Sequence, residues 1–140
     1  MSALEASGLT PTGRRLVLAI TSLSIAHHID HVARGVTGWP LDGDFNPFSA
    51  SLFVYPVIAA GVILSNRRRV GAKFWSALAG GAALFIAFVH VGPAAGDAVG
   101  SIPKQYDSTV SDALALATLG GLFGLLVVHC IYEVRRGRSN

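Results

Sequence analysis

The chain is poor in charged residues and holds a single cysteine. Only 14% of its 140 residues are charged and 51% are hydrophobic, whereas about 25% of residues are charged in an ordinary soluble domain. Cys130 alone excludes an intrachain disulfide and any CxxC redox or metal motif. Nucleic-acid binding is not indicated, because the basic residues lie at the ends of apolar runs and form no stripe with aromatic residues. The composition favours a membrane protein.

Catalytic motifs are also lacking. No activated nucleophile, carboxylate pair or phosphate-binding loop stands out, so no enzyme activity can be assigned from motifs. The run His27-His28-x-x-His31 resembles one histidine box of the membrane di-iron desaturases and hydroxylases. That resemblance covers five residues, and the five histidines of the whole chain are too few for a family that uses several such boxes. We therefore exclude this family.

Four apolar runs approach the roughly 20 residues that a helix needs to cross about 30 Å of hydrocarbon. These predicted spans are residues 15–34, 48–65, 74–91 and 113–132. They predict an all-α fold, an integral membrane four-helix antiparallel bundle that forms one domain over residues 15–134. Residues 1–14 are expected to form a flexible N-terminal tail, and residues 135–140 a basic C-terminal tail.

The basic residues predict the orientation. Arginines and a lysine precede the first span, separate the second from the third and follow the fourth, so the positive-inside rule places both termini in the cytoplasm. The other two loops hold Lys104 as their only basic residue, together with five aspartates. We expect a multi-pass protein of the cell membrane, in the inner membrane of a bacterium or an archaeon, with the lipid bilayer as its surroundings.

Small residues and a proline shape the predicted helices. Three pairs fit the small-xxx-small pattern of close helix contacts: Ser76 with Gly80, Ala77 with Gly81, and Gly120 with Gly124. They favour tight packing within the chain, and a homo-oligomer or a larger membrane complex is the alternative use of these faces. Pro56 is expected to kink the second span near Phe53 and Tyr55.

The end of the first predicted span is the most unusual stretch, because three histidines, an aspartate and an arginine interrupt an apolar run. At 3.6 residues per turn, one stripe of the helix holds His27, Asp30, His31 and Arg34. His28 points about 100° away from this stripe. Ionisable groups inside a span are costly without a partner, a ligand or water, so we expect the stripe to face the protein interior.

Depth along the helices indicates that His90, in the third span, lies level with the histidines of the first span. At a rise of about 1.5 Å per residue, His31 lies roughly 24 Å and His90 roughly 25 Å from the cytoplasmic ends of their spans, and His27 lies at roughly 18 Å. We expect these three residues to meet near the outer interface. His129 lies only about 9 Å up the fourth span, so it should remain apart.

Two histidines one turn apart on a helix can chelate one metal ion. We predict a transition metal site of His27, His31 and His90, with Asp30 as a further ligand or as the acceptor that orients an imidazole. Haem b is the other expected cofactor, with one axial histidine from the first span, His90 as the second and Arg34 beside a propionate. Redox chemistry or metal handling would be the function.

Two other interpretations stay open. Asp30 could pair with Arg34 one turn away while neutral histidines hydrogen-bond the backbone or headgroups, as in a structural accessory subunit of a membrane complex. Alternatively, Asp30 and the histidines could line a proton-linked or small-solute transport path. Tyr55, near the outer end of the second span, could hydrogen-bond the cluster.

Overall fold

The computed structural model describes residues 8–35, 46–92 and 98–139, and the regular structure of these residues is entirely helical. The helices are α1 (Pro11–Ala33), α2 (Pro47–Leu52), α3 (Val54–Asn66), α4 (Ala72–Val91) and α5 (Thr109–Arg138), with a 3₁₀-helix at Val99–Lys104. Four segments are long and apolar enough to cross a membrane: α1, α2 together with α3, α4 and α5. The predictions of an all-α fold and of four such segments are confirmed.

α1 and α5 extend beyond the predicted spans. α1 begins at Pro11 because the Thr10 side chain accepts the Gly13 N–H at 3.0 Å and caps the helix, while proline is well suited to the first helical position. α5 continues through Arg138 and carries three arginines in its last turn, where cations interact favourably with the helix dipole. Part of each predicted tail is therefore helical, and residues 1–7 lie outside the described part of the chain.

The second span is broken at Phe53, between α2 and α3. Pro56 has no N–H group to donate to the carbonyl of Leu52, four residues earlier, so an uninterrupted α-helix would lack this bond. At the break, the Phe53 N–H bonds to the carbonyl of Ala50, three residues earlier, at 3.2 Å. This shorter-range bond tightens the end of α2. The break lies where Pro56 was predicted to kink the span.

α1 and α5 each bury one continuous stripe. In α1 the buried residues are Gly13, Val17, Ile20, Ser24, His27 and His31. In α5 they are Ala115, Leu119, Leu122, Leu126, His129 and Glu133. Both sets recur every three or four residues, the spacing of one helix face. The two helices run in opposite directions, since Thr10 Oγ1 lies 2.7 Å from the Tyr132 hydroxyl, while Tyr106, before α5, donates to Asp30 at 2.6 Å.

Large apolar side chains also cover the outside of the helices. Leu84 and Val91 on α4 are 74% and 76% exposed, and Leu18 on α1 is 68% exposed. Apolar surface of this extent would promote association in water, whereas lipid hydrocarbon accepts it without penalty. The main buried cluster between the helices consists of Ile20, Ala79, Ala83, Leu122 and Leu126.

α3 packs closely only toward its C-terminal end. Its buried residues are Gly61 and Ser65. The Trp75 indole N–H donates to Ser65 Oγ at 2.8 Å, and a Cβ atom on Gly61 would lie 2.6 Å from the Phe74 ring. The N-terminal half of α3 has no buried residue and borders a cavity. The C-terminal end of the second span is therefore packed against α4, while the N-terminal half of α3 lies apart from α4 across the cavity.

We expect Gly61→Ala to be less stable than the matched variant Gly124→Ala by about 1–3 kcal/mol, the usual cost of an overpacked contact. Both substitutions gain helix propensity, but a Cβ atom at Gly124 meets nothing within 4 Å. Thermal denaturation in detergent would measure the difference. An equal midpoint for the two variants would mean that Phe74 moves aside without cost and that this close approach does not hold the second span.

Candidate metal centre

Three buried histidines come together from two helices. His27 and His31 lie one turn apart on the buried stripe of α1, and His90 lies in the last turn of α4. They are 6%, 7% and 4% exposed. Each can offer one ring nitrogen such that the three nitrogens all lie within 4.8 Å of one another. The predicted meeting of His27, His31 and His90 is confirmed.

The His27 ring meets the His31 and His90 rings edge to face, and the His31 and His90 rings are tilted by 52° to each other. His27 Nε2 and His31 Nε2 are 3.1 Å apart. The ring centroid of His90 lies 5.2 Å from that of His27 and 5.6 Å from that of His31. Two nitrogens bound to one tetrahedral zinc ion at about 2.0–2.1 Å would be about 3.3 Å apart. The observed separation of the α1 pair is therefore close to that of two ligands of a single ion.

The cluster leaves a hydrogen-bonding group of His27 unused. Its Nδ1 atom is buried and has no hydrogen-bond partner among the described residues. A buried polar atom without a partner is unfavourable by about 1–3 kcal/mol. A metal ion would use imidazole nitrogens as ligands, and neutral imidazole is a common ligand in protein metal sites. His27 thus has only the His31 ring as a hydrogen-bond partner among the described residues, and three imidazole nitrogens brought together are a donor set that suits a transition metal cation.

His28 is separate from this cluster, as its helix position predicts. Its Nδ1 atom lies 2.7 Å from the Ser24 carbonyl and 2.9 Å from the Tyr55 hydroxyl, and its Nε2 atom lies 2.7 Å from Ser51 Oγ. Both ring nitrogens are thus engaged. Tyr55 does hydrogen-bond one of the histidines, but this is His28 and not a member of the cluster. His28 joins α1 to the second span.

Asp30 and Arg34 form an ion pair at the end of α1. Arg34 donates to Asp30 Oδ2 through Nε at 2.9 Å and through Nη2 at 2.8 Å, and its side chain is fully buried. Tyr106 donates to Asp30 Oδ1 at 2.6 Å, and Arg34 Nη1 donates to Gln105. Burial and the adjacent carboxylate raise the pKa of the Tyr106 phenol, so it stays a donor. This network fastens α1 to the segment before α5.

The predicted roles of Asp30 as a ligand and of Arg34 beside a propionate stay predictions, and the structure shows the two side chains paired with each other. Asp30 is not one of the three residues whose donor atoms come together, because both its oxygens accept hydrogen bonds from Arg34 and Tyr106. The pairing of Asp30 with Arg34 follows the alternative interpretation of the sequence. Sequence reasoning misses Tyr106 and Gln105, since only a chain that folds back over the end of α1 brings them there.

A second buried polar pair lies near the C-terminal end of α5. His129 is 2% exposed and Glu133, one turn later, is fully buried. Arg136 donates to Glu133 Oε2 through Nε at 2.8 Å, and the Trp75 ring centroid lies 6.2 Å from that of His129. The prediction that His129 stays apart from the other histidines is confirmed. Sequence reasoning misses Glu133, although its i, i+4 spacing from His129 could have identified it.

Removing the Asp30 carboxylate should be costly. We expect Asp30→Ala to lower the free energy of unfolding by about 3–5 kcal/mol, because it removes the carboxylate that the buried Arg34 guanidinium contacts through Nε and Nη2. Tyr106→Phe removes one hydrogen bond and should cost about 1–2 kcal/mol. Unfolding by a denaturing detergent would compare the two variants. If Asp30→Ala cost no more than Tyr106→Phe, the ion pair would not be what holds the end of α1.

No protein-family model, no curated protein and no solved structure matches the chain. The function of the protein must therefore be inferred from the geometry of the three histidines themselves.

Proposed function

We propose that this chain is a membrane protein that binds a transition metal ion through His27, His31 and His90, for redox chemistry or metal handling. One observation carries the proposal: three buried imidazoles from two helices each offer a ring nitrogen, and these nitrogens lie within 4.8 Å of one another. Imidazole is the commonest side-chain ligand of transition metals in proteins, and a shared ion would take one nitrogen from each of the three rings.

The ligand chemistry narrows the choice of ion. Imidazole suits zinc, copper, iron and nickel, whereas magnesium and calcium prefer oxygen ligands. Within the described part of the chain three protein ligands come together, which leaves a fourth tetrahedral position open, as in catalytic zinc sites, while structural zinc sites are closed by four. An open position supports a role in which the ion reacts with or exchanges a further ligand.

A single ion fits this cluster better than haem b does. An axial histidine pair must lie on opposite faces of the porphyrin, but His27, His31 and His90 contact one another directly, with ring centroids 4.5 to 5.6 Å apart. Arg34, which would serve a propionate, is engaged by Asp30 and Gln105. A transport path lined by Asp30 has little support either, since its oxygens accept from Arg34 and Tyr106.

The proposed setting is a four-helix antiparallel bundle in the cell membrane with both termini in the cytoplasm. The clusters of arginine at the termini and between the second and third spans support this orientation. The histidine cluster would then lie in the outer half of the bilayer, at the C-terminal ends of α1 and α4. A homo-oligomer or a larger complex is compatible with the exposed small residues, since a Cβ atom on Gly81, Gly120 or Gly124 meets nothing within 4 Å.

Metal analysis of the purified protein tests the proposal. After reconstitution with zinc, copper, iron or cobalt, we expect one ion per chain in the wild type. His27→Ala and His90→Ala should each weaken binding on the order of 100-fold or more, because each removes a ligand. His28→Ala is the matched control on the same helix and should bind normally, since both His28 nitrogens are engaged outside the cluster.

Two results would contradict the proposal. The first is a folded wild-type protein that binds none of these ions in excess. The second is an equal loss of binding in His28→Ala and His27→Ala, which would mean that the ligand set is not the one proposed. Size-exclusion profiles and thermal midpoints of the variants would separate loss of a ligand from loss of the fold. A Soret band in the purified wild type would favour haem b instead.

A further inference from the structure

A cavity of about 340 Å³ borders the histidine cluster. It lies among α1, the second span and α4, and its lining includes His27, His31 and His90. The other polar lining residues come from the same level of the helices, in the last turns of α1 and in α2. The remaining wall is apolar and is formed by residues such as Ile20, Ile58, Leu78, Ala82, Leu122 and Leu126. The cavity therefore has one polar end and one long apolar end.

The cavity exists because the N-terminal half of α3 lies apart from α4, although Tyr55 in that half contacts His28 of α1. Gly61 and Ser65 hold the C-terminal half of α3 against α4, whereas its N-terminal half has no buried residue. Ala77, Gly81 and Phe85 of α4 line the cavity and are exposed, so this wall of the cavity is open. The cavity thus opens sideways between α3 and α4, onto the apolar surface that would face lipid.

The size and the opening restrict what could enter. An apolar cavity of about 150 Å³ holds benzene, so about 340 Å³ has room for a molecule of roughly twice that size. Ligand pockets of about 300–1,000 Å³ are typical of small-molecule sites, with mostly apolar walls and a few polar groups that fix orientation. A molecule that arrives through the lateral opening must already be dissolved in the hydrocarbon, which excludes polar and charged metabolites.

We infer that the cavity binds a lipid-soluble molecule whose single oxygen- or nitrogen-bearing head occupies the open coordination position of the metal ion, with its apolar tail along α4 past Gly81. This inference rests on the proposed metal site, because His27, His31 and His90 hold the ion that the head contacts. The apolar wall binds the tail, and the three histidines leave the ion one position for the head.

Alkyl hydroxamates provide probes of this arrangement. The hydroxamate group binds transition metals through two oxygens, one at the open position and one by expansion of the site to five-coordinate, and the chain length can be changed without altering the head. Acetohydroxamate has almost no tail, while octanohydroxamate has a tail of a size suited to the cavity. Titration of both into the cobalt-loaded protein in detergent micelles, followed by the visible absorption of cobalt, reports binding at the ion. Each buried methylene contributes about 0.8 kcal/mol, so octanohydroxamate should bind at least about tenfold more tightly.

Gly81→Phe tests where the tail lies. A Cβ atom at Gly81 meets nothing within 4 Å, so the larger side chain can be introduced, and its ring would occupy the cavity or its opening. Gly124→Phe makes the same change at a position on α5 that also meets nothing and does not line the cavity. We expect Gly81→Phe to abolish most of the preference for the longer probe while leaving cobalt and acetohydroxamate binding unchanged. Gly124→Phe should retain the preference for the longer probe. Because both variants are measured in the same micelles, this comparison also controls for partition of the probe into detergent.

The outcomes separate this inference from the proposed function. If the wild type binds no cobalt, the metal site fails and the inference fails with it. If cobalt binds but Gly81→Phe and Gly124→Phe show the same preference as the wild type, the metal site stands and the inference is overturned. Binding of octanohydroxamate without a change in the cobalt spectrum would also overturn it, because the cavity would then accept acyl chains with no head at the ion.

Discussion

An imidazole buried among apolar helices has little water with which to form hydrogen bonds, and this constraint governs how the end of α1 is built. His28 meets the constraint with Ser24 and Ser51, and Asp30 meets it with Arg34 and Tyr106. His27 does so only in part, through its 3.1 Å contact with His31. The polar residues around the cluster are thus satisfied by the protein, while the three clustered rings bring together nitrogen atoms that could hold an ion.

The features of the site that could be predicted from the sequence are those that depend only on helix geometry. A helix rises uniformly, so matching depths of His31 and His90 in their spans predict that the two residues meet, and they do. The 3.6-residue period separates His28 from its neighbours in the same way. The four spans follow from the lengths of the apolar runs, and the break at Phe53 follows from the missing N–H of Pro56.

Other features depend on contacts between distant parts of the chain, which no local period encodes. Asp30 shares a stripe with His27 and His31, so helix geometry alone makes it a candidate ligand. Whether it turns to an ion or to other partners depends on which residues the chain brings over the end of α1, and these are Tyr106 and Gln105. The cavity also depends on contacts between distant parts of the chain. It results from the uneven approach of α3 to α4 and not from any sequence pattern.

The two buried stripes end in polar pairs that have different partners. His27 and His31 close the stripe of α1, while His129 and Glu133 close that of α5. Because α1 and α5 run in opposite directions, these pairs lie toward opposite ends of the protein. Glu133 is bound by Arg136, which also donates to the Gly8 carbonyl and so joins the N-terminal segment to α5.

Within the described part of the chain, no third metal-ligating side chain joins His129 and Glu133. The α1 pair, in contrast, has His90 beside it and an apolar cavity adjoining it. Spacing of i, i+4 on a buried face is common to both pairs and therefore cannot by itself identify a site. The third donor residue and the adjoining cavity are what distinguish the two pairs, and among the described residues both belong to the His27 pair.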